Sequence, residues 1–386
     1  MQFSYSWLKT QANPNRSADE LSHLLTMSGL EVEESEPAAP AFSGVVVAEV
    51  KSVEKHPDAD RLNVTQVDAG TGELVQIVCG APNVRPGIKV PCSLPGAVLP
   101  GNFKIKLTKM RGVESNGMLC SAKELGLPDD GVDGLHVLPA DAPVGANIRD
   151  YLDLDDTLFT LKITPNRADC LSIKGIAREV AALTGCGFTP TVIQTASVSS
   201  GKTQPVRIDA PADCGRFISR VIENVNAQAA TPAWMRQRLE RSGIRSISAL
   251  VDIGNYVMLE IGQPMHVFDA DKISGSIIVR RAENGEVLEC LNEKIVTLAD
   301  NTLVVADEKS ALSIAGLMGG AASAVSDDTR NIVLEAAWFA PAVIAGKSRQ
   351  YGFGSDSSFR FERGVDYCLQ ADAVERATEL DRKSVV

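Results

Sequence analysis

Apolar residues at near-helical intervals open the chain. Leu21, Leu24, Leu25 and Leu30 follow a Ser17–Glu20 pair with capping-box spacing, which predicts a short helical unit. After the Ala/Pro stretch at 37–40 the period shortens to two. Residues 43 to 143 break into GVVVAEVKSVEK, RLNVTQVDAG, ELVQIVCG, IKVPCSL and NFKIKLTKMR, separated by Gly and Pro turns. That series predicts a small closed barrel of the oligonucleotide-binding (OB) type. In its last run Phe103, Ile105 and Leu107 are expected to point inward, with Lys104 and Lys106 outward beside Lys109 and Arg111. Helical spacing returns at 173–183, where Ile173, Ile176, Ala177 and Val180 share a face ahead of Gly185. This helix is expected to pack on the first, so that the barrel interrupts a helical domain. The Ser/Thr/Gly/Pro-rich stretch 187–205 reads as a linker.

Beyond it the pattern is mixed. Thr231-Pro232 opens a helix ending near Gly243, strands follow from Gly275 with Asn284-Gly285 as a hairpin turn, and helix resumes from Val365. The expected architecture is multidomain α+β. A small helical domain (1–40 and 150–190) carries an inserted OB-fold β-barrel (41–149), and a mixed α/β domain (206–386) follows. The closing DRKSVV adds no finishing element, which suggests a fragment.

One run breaks the expected polarity. NIVLEAAWF, 331–339, is apolar on both faces of a strand: Val333, Ala337 and Phe339 on one side, Ile332, Leu334, Ala336 and Trp338 on the other. Glu335 lies in its middle. A carboxylate there must be paired, neutralised or facing a cavity, because desolvating it costs several kcal/mol, roughly, even after relaxation. Taken alone it is most simply a buried pair with an arginine or a backbone amide.

Composition narrows the class. With 386 residues, 44% hydrophobic and 23% charged, the chain suits a soluble protein of two or three domains. No apolar run is long enough to span a bilayer, and the first residues do not read as a secretory signal. Eight scattered cysteines without C-x-x-C spacing point to reduced thiols in the cytoplasm rather than to disulfides or a zinc site. A net charge of −11 allows a local basic patch but not a protein coated in nucleic acid.

Candidate chemistry is scattered. Lys104, Lys106, Lys109 and Arg111 could track a phosphate backbone or merely solvate a strand. His56 and the VCGAPN turn lie at barrel strand ends, where such barrels bind ligands, although a His beside a Pro is more often a turn residue. The arginines of RQRLERSGIR read first as a solvated helix face and otherwise as a holder for a polyanion beside a site. Asn255, Glu260, Gln263 and His266 recur inside the apolar segment 251–269, and His266 shares a domain with Glu335. In YGFGSDSSFRFERGVD the serine loop is a candidate cavity lining, and Arg360, Glu362 and Arg363 a structural knot. GLMGG at 316–320 lets backbone approach a ligand but lacks dinucleotide spacing, and Gly346-Lys347-Ser348 is only half of a phosphate loop.

HPDADRLNV (56–64), VCGAPNVR (78–85), PGAVLPGNFKIK (95–106) and RGVESNGMLCS (111–121) together resemble the tRNA-binding barrel appended to several synthetases. TPNRADCL (164–171), NYVMLEIGQPMHVFD (255–269) and RFERGVD (360–366) resemble the beta subunit of bacterial phenylalanyl-tRNA synthetase. That resemblance implies an α2β2 heterotetramer whose alpha subunit charges tRNA(Phe) using ATP and magnesium. It implies no cofactor, metal or membrane contact for this chain, which would not aminoacylate alone. It further implies an editing domain that hydrolyses tRNA mischarged with tyrosine. By that analogy Glu335 accepts the tyrosine hydroxyl, His266, Ser355 and Asn255 line the reacting end, and Gly319 and Ser357 shape the pocket. Ser355 and Ser357 stand where Thr and Ala are common in the family, and Gly254 where Thr is common. The competing expectation is a non-catalytic tRNA-binding and assembly module with a degenerate pocket.

Overall fold

A computed structural model describes residues 1–128 and 131–384. Glu36–Thr157 form one compact unit; Met1–Ser35 and the chain from Leu158 onward form the other.

The first unit is the barrel. Strands run in the spatial order Met118–Leu119, Lys89–Leu99, Ser43–Lys55, Asn63–Asp68 and Leu74–Cys79, and Phe103–Lys104 also pairs with Lys89–Leu99. Ser43–Lys55 reaches both neighbours because register shifts after Ser43 and Val50 let it bend. Closure comes from the 113–119 segment: Asn116 N–H donates to Gln76 O at 2.8 Å, and Val78 N–H donates to Ser115 Oγ at 3.0 Å. Inside lie Val50, Val67, Ile77 and Val90, while Val47 and Leu99 face the other way into a second cluster with Ile105, Ile148 and Leu154.

The alternation expected for 103–107 does not hold. Ile105 is buried, but Phe103 is 59% and Leu107 69% exposed. The strand there is only Phe103–Lys104, and Ile105 closes it through paired backbone bonds with Gly96 and Ala97. With no ladder beyond, the period of two has nothing to enforce it.

In the second unit the two expected helices do share a core. Ile173–Thr184 is capped by Ser172 and stopped by Gly185 at φ 71°. Its Ile173, Ile176, Ala177 and Val180 pack with Phe3, Trp7, Leu21 and Leu25. That core continues without a break into Tyr256, Leu334 and Ala377. The stretch 187–205 has no regular structure before the strand Val206–Ile208, yet it is pinned along this unit. Thr189 N–H donates to Gln11 O, Thr191 Oγ1 to Glu260 and Ala196 N–H to Glu375.

Two sheets build the rest. In the three-stranded one, Asn331–Phe339 lies between Cys214–Glu223 and Met265–Asp269. The other runs Val206–Ile208, Ile277–Arg281, Leu303–Ala306, Ala311–Ile314 and Met318–Gly319. Asn331–Phe339 is buried on both sides, as its sequence requires. Ile332, Leu334 and Ala336 enter the helical core with Ala249–Ile261 and Leu369–Ser384. Val333, Ala337 and Phe339 enter a second core with Ile277, Val305 and Phe361.

Asn284-Gly285 forms a turn but not a hairpin. Ile277–Arg281 pairs elsewhere, and Val287–Glu289 instead pairs with Ile295–Thr297. Nor is RQRLERSGIR a simple solvated face. Arg238 lies between the rings of Trp7 and Trp234, at 5.2 and 5.6 Å, and donates to Tyr256 Oη at 2.7 Å.

Candidate active site

Register puts Glu335 opposite His266 on one neighbouring strand and Ser219 on the other. Glu335 is 6% exposed, and its Oε2 is enclosed without a hydrogen-bond partner among the described residues. Burial pushes its carboxyl up to about 8, with no neighbouring charge to offset it. The buried-pair alternative therefore fails. At neutral pH this group is mainly a neutral acid, able both to donate and to accept.

His266 is the second unpartnered group. It is half-buried, its Nε2 is enclosed and unbonded among the described residues, and its ring meets Phe268 edge-on with centroids 4.5 Å apart. Burial lowers its pKa to about 4, so the imidazole is neutral around pH 7. Gly319, paired with Ser313, makes room for it. A Cβ there would sit 2.5 Å from His266 Cε1 and 2.9 Å from Nε2.

Two hollows meet at these residues. An inner cavity of about 70 Å³ is bounded by Glu335, His266, Ser313, Gly319, Ser357 and Phe361. An outer hollow of about 740 Å³ is lined by Asn255, His266, Gly319, Ser355 and Ser357, with apolar walls from Met258, Leu291 and Met318. His266, Gly319 and Ser357 belong to both. Of the six pocket residues named from the sequence, Glu335 lines only the smaller hollow, Asn255 and Ser355 only the larger, and the other three line both.

Ser355 is held by its own bonds. Its Oγ donates to Leu317 O at 2.7 Å and caps the helix Asp356–Phe361 by accepting from Ser358 N–H at 3.1 Å. With donor and acceptor both engaged, Ser355→Ala is expected to destabilise the chain by about 1 kcal/mol, the usual cost of a lost cap. The shift of the urea midpoint at constant slope measures it.

Other sequence candidates are structural. Glu260 pairs with Arg376 at 2.7 Å, and Gln263 bridges Ala337 O and Gln370. Arg360 is buried on Leu171 O, and the knot closes through Arg363 and Glu362. Lys347 is held by Asn301 and Gln350, and in the barrel Asn83 is tied to Leu135 by both its amide atoms. Lys104, Lys106, Lys109 and Arg111 are exposed on the barrel unit, Lys109 against Glu114 at 3.3 Å. Among the described residues no group of His, Cys, Asp or Glu is placed to hold a metal ion, and no helix is long and apolar enough to cross a membrane.

Two family models match these units: "Putative tRNA binding domain" over residues 45–147 and "B3/4 domain" over 213–384. The phenylalanine–tRNA ligase beta subunit of Neisseria gonorrhoeae is 87% identical over 98% of this chain and 48% of its own length. The Chromobacterium violaceum subunit is 65% identical over the same shares, 98% and 48%. The chain belongs to the phenylalanine–tRNA ligase beta-subunit family. It spans about half the length of the curated relatives it matches, 48% of each of these two. An N-terminal fragment of the phenylalanyl-tRNA synthetase beta-subunit from Pyrococcus horikoshii aligns over 49% of this chain and 58% of its own, at 17% identity and a TM-score of 0.29.

Within this family member, sequence reasoning missed Ser313. It is buried in Ala311–Ile314 and borders the inner cavity. The signal was available, a lone polar residue in an apolar strand, the same signal that singled out Glu335.

Proposed function

We propose that the paired hollows hydrolyse the ester of a tRNA carrying tyrosine in place of phenylalanine, and that the barrel helps hold the RNA. One observation carries this reading: the unpartnered carboxyl of Glu335 lines a small cavity that shares His266, Gly319 and Ser357 with a much larger hollow. A tyrosyl group enters ring first. Its hydroxyl meets Glu335, and the ester remains in the outer hollow beside His266, Asn255 and Ser357. Phenylalanine brings no hydroxyl and leaves the buried acid unpaired, a mismatch that discriminates by roughly 10⁴-fold in sites built this way.

The ester is already activated, so placing a water and polarising the carbonyl does most of the work. A His266 lowered to about 4 is a weak base. Its part is to position that water by hydrogen bonding, and the ribose hydroxyl vicinal to the ester carries the proton. Aminoacylation, with ATP and magnesium, belongs to an alpha subunit in a cytoplasmic α2β2 assembly with tRNA(Phe). The test is direct. Purified chain should deacylate Tyr-tRNA(Phe) and spare Phe-tRNA(Phe); equal hydrolysis of both refutes the specificity.

The engaged hydroxyl of Ser355 favours the second reading, a binding and assembly module whose pocket is inert. It requires that neither ester be cleaved while RNA is still bound.

A further inference from the structure

The ribbon 103–111 is where the barrel departs most from its sequence pattern. Phe103, Leu107 and Met110 are 59%, 69% and 42% exposed, interleaved with exposed Lys104, Lys106, Lys109 and Arg111. Apolar side chains have no reason to face water on a strand that only solvates itself. The ribbon is also held in shape. Thr108–Met110 and Val113–Ser115 pair across a tight turn in which Arg111 and Gly112 have φ 47° and 89°, the left-handed pair that a two-residue hairpin requires. His56 anchors it from below. Its Nδ1 accepts from Asp58 N–H at 3.0 Å, which leaves the proton on Nε2 to donate to Met110 O at 3.0 Å. Glu114, against Lys109, is the acid paired on this ribbon.

We infer that this ribbon is a platform for unpaired RNA, with the Phe103 ring stacking on a base while Lys104, Lys106 and Arg111 follow the phosphates. Charge chooses a polyanion, in a chain that is otherwise acidic overall. The exposed ring chooses single strands, because bases already stacked in a duplex offer it no free face. His56 is a positioning residue, acting through Met110 O and not on the RNA. The inference rests on the RNA reading of the barrel but is narrower than it.

The test uses the 386-residue chain, a fluorescein-labelled unpaired oligoribonucleotide, and the same strand annealed to its complement, followed by anisotropy over a salt series. Single-stranded RNA should bind more tightly than duplex. Phe103→Ala should weaken it about tenfold with an unchanged salt slope, because stacking releases no counterions. Lys104→Ala with Lys106→Ala should flatten the slope. Phe103→Tyr should restore binding, and His56→Ala should weaken it without removing a positive charge from the ribbon. If RNA binds but Phe103→Ala is silent, or duplex binds equally well, the stacking platform is wrong and the RNA reading stands. If neither form binds at low salt, both fall.

Discussion

Replacing Glu335 with alanine is expected to erase the distinction between tyrosyl and phenylalanyl esters. For the parent chain the ratio of kcat/KM values for the two esters should be on the order of 10⁴, as expected where a buried polar group is satisfied by only one of two ligands. In Glu335→Ala it should fall to within about tenfold, the range that a hydrophobic pocket alone can supply. The change should come chiefly from slower cleavage of the tyrosyl ester. The phenylalanyl ester should gain modestly, since its ring no longer strands an acid. Folding is not the obstacle it would be for a salt-bridged carboxylate: Glu335 has no cation to leave behind. Glu335→Gln keeps a neutral donor and acceptor of similar size at the same place. An amide can still accept from the phenol, so it should keep part of the preference. A Glu335→Ala chain that discriminates as well as the parent would remove Glu335 from specificity altogether.

That Glu335 could be found before the fold was known is a consequence of burial. A strand apolar on both faces must lie between two cores, and the structure supplies both, one helical and one under the five-stranded sheet. The face of Ile173–Thr184 was legible for the same reason, since its period fixes which side is dry. Where packing between distant segments decides, sequence said less. Arg238 reads as one cation among several, and nothing local announces that Trp7, far away in the chain, will lie against it. Phe103 and Leu107 alternate as though buried, but a two-residue strand enforces no period. Asn284-Gly285 makes its turn, while the strands on either side choose other partners. Ser355 reads from the sequence as a cavity-lining residue in a serine loop. The spacing Ser355-x-x-Ser358 also fits a cap, and the cap is what the structure contains.

The same two unpartnered groups should leave a mark on stability. Glu335 has its pKa raised from 4.5 to about 8, so between those values the folded chain keeps a proton that the unfolded chain has lost. Stability then falls by about 1.4 kcal/mol per pH unit as pH rises, and the loss is complete above about 8. His266 works in the opposite sense. Its pKa is lowered from 6.5 to about 4, so on acidification through that window the unfolded chain takes up a proton that the folded chain refuses, and stability falls as pH falls. From 4.5 to 6.5 the two slopes oppose and largely cancel. From 6.5 to 8 only Glu335 acts, and the parent should lose roughly 2 kcal/mol across that interval. Glu335→Gln should remove this loss. It should also expose the His266 slope below pH 6.5, making the variant more acid-sensitive than the parent while more stable at pH 8. Urea unfolding at pH 5, 6.5 and 8 reads all three points. A parent whose stability is unchanged between pH 6.5 and 8 would mean that Glu335 has found a partner or water in solution, and its role as an acid waiting for a phenol would go with it.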